Sequence, residues 1–379
     1  MNITFIGKYP PIAGGESTKL YWLAKNLGKR GHNCNIVSDC QERDNKANLS
    51  LEDLTYLQPE NVRLFSTSKT SIWESEREFK TERLTDLAIR TIGYEDSDLI
   101  IGWYLIPYGI SASLASKYTR LPFILQHAGS DMERLFGSPN LKCLLMNQFS
   151  SADGIMAYPS YYSLFKQLNE NIFLHNPKID MEEFSKCSDF TKPEEIQGKK
   201  LITYLGKFSE TKGIFDLLKA YESLGESEEF ALVYIGSGAK KRELEELIKT
   251  KRFKNVYIYP PIPPWKVPGL LRASDIFFVG ERDFYVQKHF SRKVMEALAC
   301  KSPLLISSEL KNKGIYRNLI DGIHCLEINP KETEELSKKI KSLLDNDNLS
   351  QKISENGYEF AKKANDRFDK YIGCLLYTS

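Results

Sequence analysis

Short apolar runs alternate with helix-like patterns along almost the whole chain, and this alternation constrains the fold more than any other feature. Strands that alternate with helices predict parallel sheets covered by helices on both faces. The alternation falls into two series of roughly 170 residues each, read from hydrophobic periodicity. The predicted strands of the first series are NITFIG, NCNIVS, VRLFS, SDLIIGWY, LPFILQH, GIMAY and NIFLHN, and those of the second are LITYL, ALVYIG, NVYIYP, DIFFVG, PLLISS and IHCLEI.

The length of 379 residues supports two domains, because a single hydrophobic core rarely grows past about 250–300 residues. The boundary is predicted at His175, Asn176 and Pro177, where a strand pattern ends and proline blocks a helix. We therefore predict an α/β protein of two doubly wound, Rossmann-like domains, residues 1–176 and 177–359. The final GCLLYTS is out of character with the charged helix before it, and we hypothesise that it is translated adapter sequence.

Charge and composition exclude several classes of protein. The 52 basic and 50 acidic residues leave no excess for nucleic acid. No apolar run reaches the roughly 18 residues that span a bilayer, and the start lacks the basic and apolar regions of a signal peptide. Seven scattered cysteines without a C-x-x-C pair suggest reduced thiols and a cytoplasmic location.

The segment ITYLGKFSETKG predicts a strand, a short loop and a helix start, with Lys207 and Lys212 in the loop. Helix starts carry unpaired N–H groups and the positive end of the helix dipole, so they attract phosphate. Two lysines would add full charges at the same place. The alternative interpretation is a solvated surface loop.

Two further loops follow predicted strands of the first series. Gly14 and Gly15 allow a close approach of backbone to ligand, or simply form a loop into a helix capped by Ser17. The pattern is neither G-x-G-x-x-G nor a Walker loop, which argues against NAD and ATP hydrolysis. His127 follows PFILQ and can either bond a sugar hydroxyl or serve as a structural histidine.

Two more segments of the second series are candidates. Gly236 follows ALVYI and precedes a predicted helix. Taken alone, it indicates only a tight turn. In HFSRKVMEALACKSP, Ser291 is a candidate cap for a helix that carries Lys293 and Glu296 on one face. The cation could meet a diphosphate and the carboxylate a ribose diol, or the two could form a surface ion pair. No histidine or cysteine cluster has zinc spacing, so no metal site is predicted.

Four of these segments, in chain order, resemble the family-4 glycosyltransferases (glycosyl transferases group 1), which are retaining enzymes of the GT-B fold. They are YPPIAGGESTKLYWLAKNLGKRGHNCNIVS, QHAGSD, GKFSETKG, and ASDIFFVGERD through KVMEALACKSPLLIS. The resemblance implies two Rossmann-like domains that face each other across a cleft. It makes residues 1–176 the acceptor side and residues 177–359 the donor side, with a C-terminal helix at about 360–379 packing back on the first domain.

The resemblance also implies roles for individual residues. His127 would contact the transferred sugar and Glu296 the nucleotide ribose, and these two form the predicted catalytic pair. Lys207 and Lys212 would hold the donor diphosphate. The predicted donor-binding residues are Gly14, Gly15, Lys207, Lys212, Gly236, Lys293 and Glu296.

One position departs from the family pattern, because it holds a lysine where the family has a glutamate. The family usually has two glutamates separated by seven residues, but the position eight before Glu296 is Lys288. Lys293 and Glu296 fit the K-x-x-E form of the motif that some members have. Whether Glu281 or Asp283 replaces the missing acid is left open by the sequence.

The expected function is transfer of a hexosyl unit from a UDP- or GDP-sugar to an acceptor hydroxyl, with retention and without metal or other cofactor. The expected partners are the nucleotide sugar and a glycan or lipid-linked acceptor, in synthesis of bacterial surface polysaccharide or glycolipid. The alternatives are a catalytically silent binding subunit and a sugar-nucleotide epimerase of the same fold. Peripheral contact with the inner face of the membrane is a further alternative, through the basic residues Lys19, Lys25, Lys29 and Arg30 of the first helix.

Overall fold

A computed structural model of the chain describes residues 1–39, 58–67, 79–174, 179–186, 190–284 and 291–365. These residues divide into two compact units, with the division between residues 176 and 177. Each unit is a parallel sheet with helices, as the alternating sequence pattern predicts. Residues 366–379, which hold GCLLYTS and most of the predicted C-terminal helix, lie outside the described residues, as do Lys288 and the boundary residues 175–178.

The first unit contains a seven-stranded parallel sheet in the order β3-β2-β1-β4-β5-β6-β7. Its strands are β1 (Asn2–Gly7), β2 (Asn33–Ser38), β3 (Val62–Ser66), β4 (Leu99–Trp103), β5 (Phe123–Gln126), β6 (Gly154–Ala157) and β7 (Ile172–Leu174). Its helices are α1 (Gly15–Lys29), α2 (Lys80–Tyr94), α3 (Ile110–Thr119), α4 (Pro139–Ser151) and α5 (Tyr162–Phe165).

The second unit contains a six-stranded parallel sheet in the order β10-β9-β8-β11-β12-β13. Its strands are β8 (Lys200–Lys207), β9 (Phe230–Ser237), β10 (Val256–Tyr259), β11 (Ile276–Val279), β12 (Leu304–Ser307) and β13 (Leu326–Ile328). Its helices are α6 (Met181–Ser185), α7 (Ile214–Leu224), α8 (Lys241–Lys251), α9 (Val267–Ala273), α10 (Arg292–Ala299), α11 (Ser308–Lys311), α12 (Thr333–Asp345) and α13 (Asp347–Asn365).

The central strands of the second unit are apolar without interruption because both faces of the sheet are buried. Side chains alternate between the faces of a strand. Leu232 and Tyr234 of β9 therefore pack in one core with α7 and α12, whereas Val233 and Ile235 pack in a second core with Leu270 of α9. This arrangement explains why the sequence shows continuous apolar runs rather than a polar and apolar alternation.

Each sheet has one point where the strand order changes direction. In the first unit this point lies between β1 and β4, and in the second it lies between β8 and β11. Ligands of open α/β sheets bind beyond the carboxyl ends of the strands at such a point. The loops that follow β8 and β11 carry Lys207, Lys212 and Glu281, so the switch point of the second unit coincides with the predicted phosphate site.

Of the two predicted helix caps, Ser17 is wrong and Ser291 is correct in position only. Helix α1 begins at Gly15 and its N-cap is Gly14, while Ser17 lies buried inside the first turn. Gly14 has a φ of 140°, a conformation that glycine adopts far more readily than serine. Ser291 does occupy the N-cap position of α10, but its side chain makes no capping hydrogen bond there.

Candidate functional site

The loop between β8 and α7 has the predicted form of strand, short loop and helix start. Lys207 is the last residue of β8 and its side chain is exposed. A single 3-10 turn, Glu210–Lys212, leads to Gly213, whose φ is 72°. A Cβ at Gly213 would lie 2.5 Å from the carbonyl oxygen of Gly280. Glycine therefore lets this loop pack against the loop that follows β11, which brings two neighbouring strand ends together.

Lys212 forms an ion pair with Glu281, which directly follows β11 and Gly280. The side chain of Glu281 is 3% exposed and that of Lys212 is 19% exposed, so the pair is largely removed from water. The Nζ atom of Lys212 also lies 4.2 Å from the centroid of the Phe284 ring. Burial and the charge of Glu281 raise the pKa of Tyr204 well above its ordinary value. The predicted phosphate lysine is thus held in place by an acid at the switch point.

Asp283 lies in a different environment from Glu281. Its side chain is 57% exposed and pairs with Lys331 at 2.8 Å and with Arg282 at 3.2 Å. The hydrogen bond from Lys331 is the main reason that the pKa of Asp283 is lowered. Of the two acids that the sequence left open, the structure places Glu281 beside Lys212 and Asp283 at the surface.

Gly236 has a structural reason to be glycine that does not depend on a ligand. Its φ is 149°, and a Cβ there would lie 1.9 Å from the carbonyl oxygen of Gly206. Gly238, with a φ of 158°, would bring a Cβ to 2.3 Å from the carbonyl oxygen of Phe208. Both glycines allow the end of β9 to lie against the chain that leaves β8. The predicted contact of Gly236 with a donor remains a prediction.

Gly236→Ala is expected to destabilise the second unit by about 2–4 kcal/mol, because strain and a backbone clash act together. Gly198→Ala is the matched control, since Gly198 has a φ of 73° and no atom within 4 Å of an added Cβ. Gly198→Ala should lower the free energy of unfolding by only about 1 kcal/mol, the contribution of backbone strain alone. Urea unfolding of both variants measures the difference, and equal losses would show that the close approach at Gly236 is unimportant.

Glu296 is almost fully buried on α10, with 1% of its side chain exposed. Its Oε1 accepts from Arg292 at 3.1 Å and its Oε2 accepts from Lys293 at 3.0 Å. Burial alone would raise its pKa, but the two adjacent cations outweigh burial and the pKa of Glu296 is lowered. A carboxylate has about four lone-pair sites, so a ribose diol would share this carboxylate with two cations.

Arg292 is a further partner of the candidate residue Glu296 that the sequence analysis did not identify. It is the first residue of α10, four positions before Glu296, with a side chain that is 14% exposed. Spacing of three and four residues places Arg292, Lys293 and Glu296 on one helix face. The same helical-spacing argument that singled out Lys293 would have found Arg292.

In the first unit, Gly14 and Gly15 present open backbone at the start of α1. An added Cβ at either position would meet no atom within 4 Å. The adjacent Lys19 donates to Glu16 at 2.5 Å and to Tyr158 at 2.8 Å. Burial opposes its charge, but Glu16 and Tyr158 outweigh burial and raise the pKa of Lys19. Lys19 is therefore a paired interior group rather than part of a solvated basic helix face.

The structure places His127 inside the first unit, with no exposed surface. Its two ring nitrogens lie 3.2 Å from the backbone nitrogens of Gly129 and Tyr158. Its ring contacts those of Tyr161 and Phe165, with centroids 4.9 Å and 5.1 Å away. This geometry fits a structural histidine, which was one of the two interpretations of the sequence. A contact between His127 and a sugar would require the residues around His127 to move apart.

Asp131 stabilises the loop after β5, which also contains His127, through hydrogen bonds to backbone N–H groups. It is fully buried and accepts backbone N–H groups of Ala128 at 3.0 Å, Met132 at 2.8 Å and Leu105 at 3.3 Å. Burial and the charge of Glu16 raise the pKa of Asp131 to about 7, against the effect of these hydrogen bonds. The carboxyl group thus ties the loop after β5 to the loop after β4.

Neither a metal-binding cluster nor a membrane-spanning helix is present within the described ranges. No group of three or more histidine, cysteine, aspartate and glutamate side chains there is arranged to hold a metal ion. Over the same residues, no helix has the length and apolarity needed to cross a membrane.

A known protein family matches most of the second unit, and several known proteins are similar to larger parts of the chain. Residues 186–360 match the family described as Glycosyl transferases group 1. An uncharacterized glycosyltransferase of Methanocaldococcus jannaschii is 24% identical over 274 residues, which cover 71% of this chain and 72% of that protein. A protein of Bacillus subtilis, named for a glycosyltransferase of teichuronic acid biosynthesis, is 23% identical over 68% of this chain and 64% of its own length.

Solved structures extend the likeness to the whole chain. The crystal structure of HepE from Anabaena, in complex with UDP-glucose, has a TM-score of 0.70 and 16% identity and covers 100% of both chains. At this identity the likeness establishes the fold, which is the GT-B arrangement of two parallel-sheet, Rossmann-like domains. The predicted fold and the predicted family resemblance are both confirmed.

Proposed function

We propose that this chain, whose second unit carries a Glycosyl transferases group 1 domain, moves a hexosyl unit from a UDP- or GDP-sugar to an acceptor hydroxyl with retention. The observation that carries the proposal is the set of cations at the switch point of the second unit. There Lys207 ends β8, and Lys212 of the turn that follows pairs with Glu281 of the loop after β11.

The leaving group of such a transfer is a nucleoside diphosphate, and its departure builds negative charge. Fixed positive groups stabilise that charge without reorganisation at the moment of reaction. Among the described residues, the Lys207 side chain has no hydrogen bond or ion pair, so it is available to phosphate oxygens. Lys212 lies five residues further on, at the start of α7, where the helix dipole adds to its charge.

Glu281 fits this chemistry as the group that holds Lys212. A lysine on a flexible stem loses much side-chain entropy when it binds phosphate. An ion pair with a buried carboxylate, together with the Phe284 ring at 4.2 Å, limits that freedom before the donor arrives. We propose that Lys207 and Lys212 replace a metal ion at the diphosphate, and that the leaving phosphate acts as the base for front-face attack, which gives retention.

The proposed acceptor is a glycan or lipid-linked hydroxyl in surface polysaccharide or glycolipid synthesis. The name of the Bacillus subtilis relative, a teichuronic acid biosynthesis glycosyltransferase, supports this class of acceptor. Peripheral contact with the membrane loses part of its support, because Lys19 is engaged inside the first unit by Glu16 and Tyr158.

A catalytically silent binding subunit is the second candidate function. Its support is the complete burial of His127 and the near-complete burial of Glu296, the two residues of the predicted catalytic pair. Such a subunit would bind nucleotide at Lys207 and Lys212 but would not turn over a nucleotide sugar.

Thermal unfolding with UDP, UMP, GDP, ADP and NAD tests nucleotide binding. A ligand at 100 times its dissociation constant adds about 2.7 kcal/mol to the free energy of unfolding. We expect stabilisation by UDP or GDP and none by NAD, with UMP weaker than UDP because it lacks the second phosphate. A flat response to the whole panel, or a response to NAD alone, would contradict the proposed function.

A further inference from the structure

Arg83 of α2 has no ion-pair partner in the part of the chain that the structure describes. Its Nε and Nη1 atoms are shielded from solvent and have no hydrogen-bond partner among the residues that the structure describes. Shielding a charge from water is costly unless the charge is paired. Buried polar groups in folded proteins nearly always have a partner, so an exception calls for an explanation. A ligand that supplies the acceptor oxygens is one such explanation.

Asp39, an acid that contacts the start of α2, already has two partners. Asp39 pairs with Lys80, the first residue of α2, and accepts from the hydroxyl of Tyr108 at 3.3 Å. The Nζ of Lys80 also lies 5.8 Å from the centroid of the Tyr108 ring. Lys80 and Arg83 are three residues apart and so share a helix face. Lys80 and Arg83 therefore place two cations on one helix face, and among the described residues Asp39 pairs with Lys80 but not with Arg83.

The position of this cluster in the sheet favours a ligand. Asp39 directly follows β2, and Tyr108 lies in the turn Leu105–Gly109 that follows β4. Both therefore lie beyond the carboxyl ends of their strands, which is the edge where open α/β sheets bind ligands. Arg90 of the same helix behaves differently, since it is exposed and donates to Asp86 at 3.0 Å and 2.8 Å.

We propose that Arg83, with Lys80, binds an anionic group, a carboxylate or a phosphate, carried by the acceptor. The planar guanidinium has a fork of donors that matches either group in a bidentate manner, and the Lys80 ammonium adds a point charge on the same face. Only the assignment of the anion to an acceptor rests on the proposed function. Anion binding by the first unit can be measured without any nucleotide.

The experiment compares Arg83→Met with Arg90→Met in the full chain. Thermal unfolding is followed in inorganic phosphate against chloride, and in glucuronate against glucose, at constant ionic strength. We expect the parent chain and R90M to be stabilised by phosphate, by glucuronate or by both. R83M should bind the same anion at least tenfold more weakly. In chloride alone, R83M should unfold at the same temperature as the parent chain or above it, because it loses an unpaired charge.

The outcomes separate the proposal from its rivals. Stabilisation by phosphate or by glucuronate that is weakened in R83M but kept in R90M supports the site and names the group it binds. An anion response that is the same in R83M as in the parent chain would overturn the proposal, since the anion would then bind elsewhere, for example at Lys207 and Lys212. A marked fall in the unfolding temperature of R83M in chloride would overturn the proposal, since Arg83 would then have a partner within the chain. The absence of any anion response in the parent chain would also overturn it. The UDP response should be the same in R83M, so failure of the proposed function would appear separately, as a missing UDP response in every variant.

Discussion

Replacing Lys212 by methionine is expected to lower the free energy of unfolding of the second unit by about 3–5 kcal/mol, the usual cost of breaking a buried ion pair. The reason is that Glu281, whose side chain is 3% exposed, would lose the Lys212 cation. Methionine keeps much of the length of the lysine stem but has no charge. Urea unfolding of the purified variant measures the loss.

A second substitution separates stability from binding in this variant. K212M with Glu281→Gln removes both charges, and we expect it to recover most of the lost stability, because a neutral pair is left in place of one buried charge. Its affinity for UDP or GDP should stay about 10–100-fold below that of the parent chain, since a charge-assisted hydrogen bond contributes about 1.5–3 kcal/mol.

Lys207→Met is the matched control for this pair. Lys207 is exposed and has no partner among the described residues, so its loss should leave unfolding unchanged while weakening nucleotide binding. If K212M were as stable as the parent chain, the ion pair with Glu281 would not hold Lys212. If the double variant bound UDP normally, Lys212 would have no part in the phosphate site.

Glu296→Gln is expected to destabilise the chain by about 3 kcal/mol at neutral pH, because Arg292 and Lys293 would lose their shared counter-charge. The difference should depend on pH in a defined direction. The pKa of Glu296 is lowered in the folded state, so its contribution is complete above the ordinary glutamate pKa of about 4.3. The contribution is lost as the pH falls through the folded value.

Unfolding curves of E296Q and the parent chain from pH 7 to pH 3 test this direction. The two should converge at the acid end, whereas a constant gap would show that the charge of Glu296 is not responsible. Glu335→Gln is the control, since Glu335 pairs with Lys339 at 2.8 Å on an exposed helix face. That pair should be worth less than about 1 kcal/mol. If Glu296 binds the ribose, E296Q should also lower kcat/KM for the donor about 10–100-fold.

The two sheets, and the strand, loop and helix of the segment that holds Lys207 and Lys212, are the parts of the molecule that sequence reasoning predicted well. Parallel strands buried on both faces leave continuous apolar runs such as those of β8 and β9, which are readable without any tertiary information. The order of those strands follows from packing and crossover rules rather than from local sequence. Lys207 and Lys212 were found because their loop joins a strand to a helix, which is itself a local pattern.

Pairings between distant residues could not be predicted in the same way. Lys212 and Glu281 are 69 positions apart and meet only because β8 and β11 are neighbours in the sheet. For His127 the sequence left open both a sugar contact and a structural role, because the three aromatic rings that surround it belong to later segments of the chain. Ser17 looked like a cap because its residue type is right, but the positive φ of Gly14 starts the helix earlier.

Arg83 is a second kind of residue that the local sequence does not single out. In the sequence it is one more charged residue of an amphipathic helix, like Arg90. Only burial and the positions of possible partners distinguish the two arginines. Arg90 is paired with Asp86, whereas the Nε and Nη1 atoms of Arg83 are shielded from water and have no partner among the described residues. An unmet requirement for an anion is a property of tertiary packing, which no local pattern records.

The activity proposed for this chain is transfer of a sugar from a nucleotide donor. The most direct test is release of UDP or GDP by the purified chain from UDP-glucose, UDP-galactose, UDP-N-acetylglucosamine and GDP-mannose, with E296Q alongside. Retaining transferases can pass the sugar slowly to water, so we expect slow nucleotide release from one donor, and E296Q should reduce it at least tenfold. Nucleotide binding without release from any donor, including in the presence of glycan acceptors, would contradict the transferase account and favour a silent binding subunit.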